Sequence, residues 1–349
     1  MSYTIEVYRG NQSAERHFGI YSLYVMFYPQ LVAGPIERPQ NLLYQFHRKH
    51  NFNYKMMTSG LKLMAWGLFK KVVIADRLAI VVNQVFDTPE NYNSLGLIIA
   101  VIFFTFQIFC DFSGYSDMAI GAARTMGFKL MKNFDMPYHS KSIDEFWKRW
   151  HISLSTWFKD YLYIPLGGNR VKIPRWYLNL FIVFLVSGLW HGANWTFIIW
   201  GALHGFYLVF GLITKKVRNE IGKILRLNRL PFLSVISTFI LVSFAWIFFR
   251  AQDLSSAWNI ISRIWYGLPD LPHQILNIKN VGIELPNLLI SFALIFFLEF
   301  IHELQKNYYL IRRVQSSNSF VRWSIYYVLV MTILAMGVFN HSQFIYFQF

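Results

Sequence analysis

A succession of apolar runs approaching the length of a bilayer crossing constrains this chain more than any other feature. A helix needs about 20 predominantly apolar residues to span a hydrocarbon core. Runs near that length fall at 18–32, 63–85, 95–110, 177–213, 232–249, 288–300 with its flanks, and 323–339. Of 349 residues, 55% are hydrophobic and only 15% charged, against about 25% charged in an ordinary soluble domain. The 34 Phe, 20 Tyr and 12 Trp exceed what a soluble interior of this size encloses, whereas lipid and the interfacial belts accommodate them. The expected fold is all-α and multi-pass, one membrane domain over residues 1–349 with no internal repeat or flexible linker.

Two stretches depart from plain spans. The run at 63–85 carries Lys70, Lys71, Asp76 and Arg77, too many charges for a lipid-facing helix, so it faces the protein interior or lies partly in the interface. Residues 124–175 are the least membrane-like. Phe146, Trp150 and Trp157 share roughly one helical stripe there, interleaved with Asp144, Lys148, Arg149 and Lys159. Amphipathic helices at the membrane surface are expected, with a soluble loop as the alternative.

The formal net charge is +15. A basic chain invites a nucleic-acid reading, but these charges cluster between apolar runs, as positive-inside loops do, and no distributed basic surface results. Lys215, Lys216, Arg218, Lys223, Arg226 and Arg229 crowd one loop, and Lys306, Arg312, Arg313 and Arg322 another two spans later. The alternation puts both in the cytoplasm, and 251–282 and the closing FIYFQF outside. The lone cysteine, Cys110, permits no intrachain disulfide. The opening MSYTIEVYRG lacks the pattern of a signal peptide.

The most informative interruption is SGLWHGANW, within 177–213. From Tyr177 to Trp190 the first arm counts about 14 residues, or about 21 Å, short of a core of about 30 Å. His191 is therefore expected within the membrane thickness beside Gly188 and Gly192, where broken backbone needs protein or a water-filled cavity around it. A neutral imidazole there can take the proton of a hydroxyl attacking an acyl thioester. Trp190, Trp195 and Trp200 are expected to wall the cavity and exclude water. The alternative is a packing histidine at a helix break.

Other candidates stand beside it. His151, in KRWHISLSTW, is either a second active-site histidine or an interfacial one. His204 is expected on the second arm in an orienting role, with Asn194 between the arms. Asp111 and Asp117 flank FSGYS and need a cation, for which Arg124 is available; they hold the interior together or line a donor channel. His139 and Asp144 form an H-x4-D pattern, a spacing that arises easily by chance, and Ser187 precedes His191 by four residues with no evident third member. The histidines are scattered around one cysteine, so no metal site is expected. PLGGNR is a turn rather than a phosphate loop, and no bound cofactor is expected.

Taken together, YPQLVAGPIERP (28–39), FQIFCDFSGYSDMAIGAARTMGF (106–128), FWKRWHISLSTWFKDYLYIPLGGNR (146–170) and SGLWHGANWTFIIWGALHG (187–205) resemble the membrane-bound O-acyltransferase family, in its bacterial branch of alginate and related polysaccharide O-acetyltransferases. The resemblance implies a ring of tilted helices, with interfacial and re-entrant ones, around a thinned centre where funnels from both faces meet. It puts the family's invariant histidine at His191 and a second characteristic one at His151. It further implies a bacterial inner-membrane location and acetyl transfer from a cytoplasmic thioester such as acetyl-CoA toward an extracytoplasmic polysaccharide. That transfer is direct or passes through periplasmic or membrane-anchored partner transferases. Peptidoglycan or another glycan is the alternative acceptor. Full-length members carry further membrane helices before the segment that opens here, so such helices are expected to be missing. The opposing class is a transporter with a broken helix and no group transfer.

Overall fold

The computed structural model describes residues 1–224, 230–306, 313, 316–339 and 344. In chain order its helices are α1 (Ser2–Tyr8), α2 (Phe18–Met26), α3 (Pro39–Phe46), α4 (Tyr54–Leu68), α5 (Asp76–Asp87), α6 (Ser94–Thr125), α7 (Ile143–Arg149), α8 (Ile152–Phe158), α9 (Ile173–His191), α10 (Trp195–Ile213), α11 (Lys215–Ile224), α12 (Pro231–Arg250), α13 (Leu254–Gly267), α14 (Leu271–Leu276), α15 (Leu285–Lys306) and α16 (Ser319–Met336). No strand occurs among the described residues. Among the described residues, six helices are long and apolar enough to cross a membrane: α6, α9, α10, α12, α15 and α16. The chain is an all-α, multi-pass membrane protein.

The central element is α6. Asn93 caps its start by accepting from the Gly96 amide, and the helix runs for 32 residues, straight through the polar DFSGYSD where the apolar run ends. It can do so because the charges there are matched. The segment at 63–85 forms α4 and α5 around a π-helical turn at Phe69–Ala75, and it packs along α6. Successive side chains on an α-helix diverge by about 100°; the wider turn brings both Lys70 and Lys71 to the same neighbour. Lys70 pairs with Asp117 at 2.8 Å and Lys71 with Asp111 at 2.6 Å. Asp76 also meets Lys71 at 2.8 Å. The interior reading of these charges therefore holds, but the expected cation was wrong: Arg124 instead donates to Ser59 Oγ at 2.8 Å.

The first apolar run yields only the nine-residue α2, because Pro29 and the GPIERP segment break it into turns. At 146–158 the amphipathic pattern is present, and its aromatic side faces protein. Phe146 and Trp150 lie in the main core, while Asp144 and Lys148 are exposed and pair with each other.

The arms of the 177–213 hairpin are longer than the apolar run suggests. Pro174 sits in the first turn of α9, where its missing N–H costs nothing, so the helix starts before Tyr177 and reaches 19 residues, as does α10. At 1.5 Å per residue each is about 28 Å, close to a full crossing. His191 thus ends a full-length arm, and length alone no longer sets it deep in the bilayer. The two arms touch through glycine: a Cβ on Gly188 would lie 2.3 Å from the Phe197 carbonyl, and one on Gly201 2.3 Å from that of Phe184.

One end of the bundle gathers several joints. Asn194, between α9 and α10, donates to the Gln252 carbonyl just after α12 at 2.9 Å. Ser94 at the start of α6 donates to the Gly267 carbonyl at 3.0 Å. The basic positions Arg226, Arg229 and Arg312 and the tail residues 345–349 lie outside the described residues.

Candidate active site

The site is built on an extended stretch that follows α6. Residues 128–134 form no helix, and two side chains from the amino-terminal segment grip them. Gln45 accepts from the Lys129 amide and donates to the Lys129 carbonyl, both at 2.9 Å. Glu37, from the GPIERP segment, accepts from the Met131 amide. Burial pushes the Glu37 carboxyl above its usual range, opposed by that amide and by Asn41.

Asn133 is thereby fixed in the interior, and it organises His151. Its carboxamide oxygen accepts from the Ser153 amide at 3.2 Å, from Ser153 Oγ at 2.9 Å and from His151 Nδ1 at 3.0 Å. Its Nδ2 donates to Ser116 Oγ on α6 at 3.0 Å. A backbone N–H can only donate, so the Ser153 amide identifies the contacted atom as oxygen. An oxygen facing Nδ1 requires the proton on Nδ1, and the lone pair then sits on Nε2. His151 adopts a left-handed backbone with φ 41°, an uncommon state for a non-glycine residue that persists only where the surroundings over-determine it. Asn133 supplies that constraint; its own carbonyl also accepts from the Ile152 amide at 2.9 Å. His151 is 4% exposed, and burial, with the charge of a protonated His191 as a lesser cause, holds its imidazole well below the ordinary value.

His191 reaches the same cavity from α9. The lining comprises His151, His191, Trp147, Trp150, Trp200 and Trp246, with Ile108, Phe112, Leu154 and Phe249. His191 meets Trp200 edge-on at 5.1 Å and Phe249 at 5.2 Å between ring centroids. Trp200 stacks on Trp246 at 5.7 Å, and Phe112 stands edge-on to His151 at 4.5 Å. The space is little wider than a water molecule, so a substrate acyl group requires the aromatic lining to shift. Two histidines from separate segments therefore share a narrow apolar slot, where Coulomb and hydrogen-bond interactions are weakly screened.

The remaining candidates separate. His204 is fully buried on α10 and accepts from Trp147 Nε1 at 3.2 Å; it supports a lining tryptophan without lining the cavity itself. Trp190 and Trp195 are 53% and 68% exposed, so only Trp200 of the three expected tryptophans forms a wall. Successive positions around the helix break point different ways, and these two face outward. Asn194 caps α10 by accepting from the Thr196 amide at 3.1 Å. Asp111 and Asp117 belong to the ion pairs with Lys71 and Lys70. Ser187 is buried in α9. The H-x4-D pair does not form: His139 bonds to Glu299 and Asp144 to Lys148.

Asn133, Ser153, Ser116 and Trp147 were not singled out from sequence. Asn133 sits in MKNFDMP, whose residues match no chemical motif, and its partners lie 17 to 20 positions away. Its near neighbours Lys132 and Asp135 are charged, so hydrophobic patterning does not mark it either.

Comparison with known proteins gives a consistent answer. Residues 12–251 match MBOAT, the membrane-bound O-acyltransferase family. The protein named "Probable alginate O-acetylase AlgI" of Pseudomonas aeruginosa is 41% identical over 300 residues, which is 85% of this chain and 55% of that protein. A "Peptidoglycan O-acetyltransferase" of Helicobacter pylori is 45% identical over 251 residues, 70% of this chain and 46% of that protein. A "Teichoic acid D-alanyltransferase" of Bacillus subtilis is 29% identical over 244 residues, 66% of this chain and 60% of that protein. The chain spans about half the length of the curated relatives it matches. A family match over more than half of its residues, with relatives above 40% identity over most of its length, shows that the chain belongs to the membrane-bound O-acyltransferase family.

Proposed function

We propose that this chain carries the catalytic half of an O-acetyltransferase of the bacterial inner membrane. It takes an acetyl group from a cytoplasmic thioester, acetyl-CoA being the first donor to test, and passes it toward hydroxyls of an extracytoplasmic polysaccharide. Transfer is direct or runs through a periplasmic or membrane-anchored partner transferase. The observation that carries this reading is the shared slot of His151 and His191, with the His151 tautomer fixed by Asn133.

In this mechanism His191 is the general base. The acceptor oxygen attacks the thioester carbonyl carbon as His191 takes its proton. The tetrahedral intermediate collapses with cleavage of the C–S bond, and the imidazolium returns the proton to the departing thiolate. His151 Nε2, bearing a lone pair, accepts a hydrogen bond from a second acceptor hydroxyl and so orients the first. The aromatic lining keeps water from competing for the acyl group. Alginate is the first acceptor to test and peptidoglycan the second, since relatives named for each match at 41–45% identity.

The basic clusters at 215–229 and 304–322 favour a cytoplasmic position for both, with 251–282, the α9–α10 turn and the carboxyl terminus on the periplasmic side. The slot then opens nearer the acceptor side. Membrane vesicles given a thioester labelled in its acetyl group provide the test. Thioester cleavage coupled to base-labile label on glycan or on a partner supports the reading. Movement of an intact cargo without thioester cleavage supports a transporter instead.

A further inference from the structure

A second group of ionisable side chains lies outside the histidine slot. His139 ends a short helical turn, Pro137–His139, on the stretch between α6 and α7. Glu299 and His302 are three positions apart on α15 and so share one face of that helix. His139 Nε2 lies 2.5 Å from one Glu299 carboxylate oxygen, and His302 Nδ1 lies 3.2 Å from the other. The three potential donor atoms fall within 4.8 Å of one another. Two imidazoles thus aim ring N–H protons at a single carboxylate, and those protons occupy the place of one cation held by all three groups.

We propose that His139, Glu299 and His302 form a binding site for a divalent transition metal of the zinc class. Two imidazoles and one carboxylate are a donor set that suits Zn²⁺ with a fourth position left open. Magnesium and calcium require mainly oxygen donors, and copper(I) favours sulfur. The surroundings supply the outer partner such sites use. Glu303 Oε1 lies 3.5 Å from His139 Nδ1, while Lys306 Nζ contacts both that nitrogen at 2.6 Å and Glu303 at 2.5 Å. With a metal bound, the ring proton of each imidazole lies on the nitrogen away from the metal. For His139 that is Nδ1, where Glu303 accepts it and Lys306 gives way.

The site joins segments 160 positions apart. Tyr138, the neighbour of His139, donates to the Thr105 carbonyl at 2.6 Å and packs on Trp150 at 6.0 Å; Trp150 lines the histidine slot. The metal therefore pins the back of the slot wall to α15 without entering the slot.

The full chain, purified in detergent with an affinity tag free of histidine, is dialysed with Zn²⁺ and passed through gel filtration in a weak competing chelator. The expected result is one Zn²⁺ per chain by elemental analysis, and intense visible absorption of four-coordinate Co²⁺ after substitution. Glu299→Gln and His302→Ala should each lose more than nine-tenths of the bound metal. Glu303→Gln should weaken binding about 10–100-fold. His191→Gln, in the other site, should retain the metal in full. A monodisperse wild-type chain that holds no Zn²⁺ would overturn the proposal, and the group would be a metal-free ionic clasp. So would Zn²⁺ retained equally by Glu299→Gln and His302→Ala, or lost from His191→Gln. The wild-type stoichiometry decides even where a variant fails to fold.

Discussion

Two neighbourhoods of α6 handle buried polarity in opposite ways. Where α6 meets the π-helical turn, formal charges are buried and paired, Lys70 with Asp117 and Lys71 with both Asp76 and Asp111. Toward α7, α9 and α12, no formal charge lines the slot. Its polar groups are neutral imidazoles, and one of them has its basic nitrogen set by Asn133. Ion pairing engages these groups with one another and yields rigidity. A neutral base in an aromatic slot leaves a lone pair available and little solvent to screen it. The first neighbourhood reads as framework and the second as machinery.

That contrast breaks most visibly at Lys71. Lys71→Met removes the cation that Asp76 and Asp111 share, and removing one partner of a buried ionic group costs about 3–5 kcal/mol. Membrane abundance should collapse, while any folded remainder keeps its activity per molecule. Adding Asp111→Asn should recover part of the abundance. Quantitative blotting beside acetylation assays measures both, and unchanged abundance in Lys71→Met would remove the framework role.

Asn133 sharpens the other side. Asn133→Ala leaves the Ser153 amide and His151 Nδ1 without their acceptor, at a cost of about 1–3 kcal/mol, and frees His151 to change tautomer. Activity per folded molecule should fall by about tenfold or more, whereas Asn133→Asp, which keeps an oxygen acceptor, should retain most of it. The pH profile adds a readout that packing alone does not move. The active form of His151 is neutral, and its depressed pKa keeps it neutral as pH falls through the ordinary histidine value of 6.5. In wild type no loss attributable to His151 should appear until well below that value. In Asn133→Asp the new carboxylate favours the imidazolium and should move the acid limb upward. An unshifted limb would deny that Asn133 acts through His151.

The smallest effects belong to the outward tryptophans. Trp190→Phe and Trp195→Phe should change stability by no more than about 0.5 kcal/mol and leave acetylation near wild type. A severe activity loss at equal abundance would return these residues to the cavity wall.

Much of this fold is legible in the residues, because hydrophobic length and loop charge are local properties. The spans at α12, α15 and α16 follow directly from them. Helix ends were less legible: Pro174 extends α9 beyond its apolar run, and paired charges carry α6 through DFSGYSD. The site divides in the same way. His191 announces itself through the flanking glycines and the break, and His151 through its motif. Asn133, Trp147 and the lysine partners of Asp111 and Asp117 depend on contacts between distant segments, which no spacing reveals. The group at His139, Glu299 and His302 was invisible for the same reason.

The central claim is that His191 acts as a base in the slot it shares with His151. His191→Gln keeps hydrogen-bonding capacity and approximate size while removing the base. Base-labile acetate on the extracellular glycan is measured beside membrane abundance. General-base catalysis typically supplies about 10²–10⁴-fold, so acetylation at equal abundance should fall by at least about 100-fold. Near-normal acetylation in His191→Gln would contradict the account and make His191 a packing residue at a helix end.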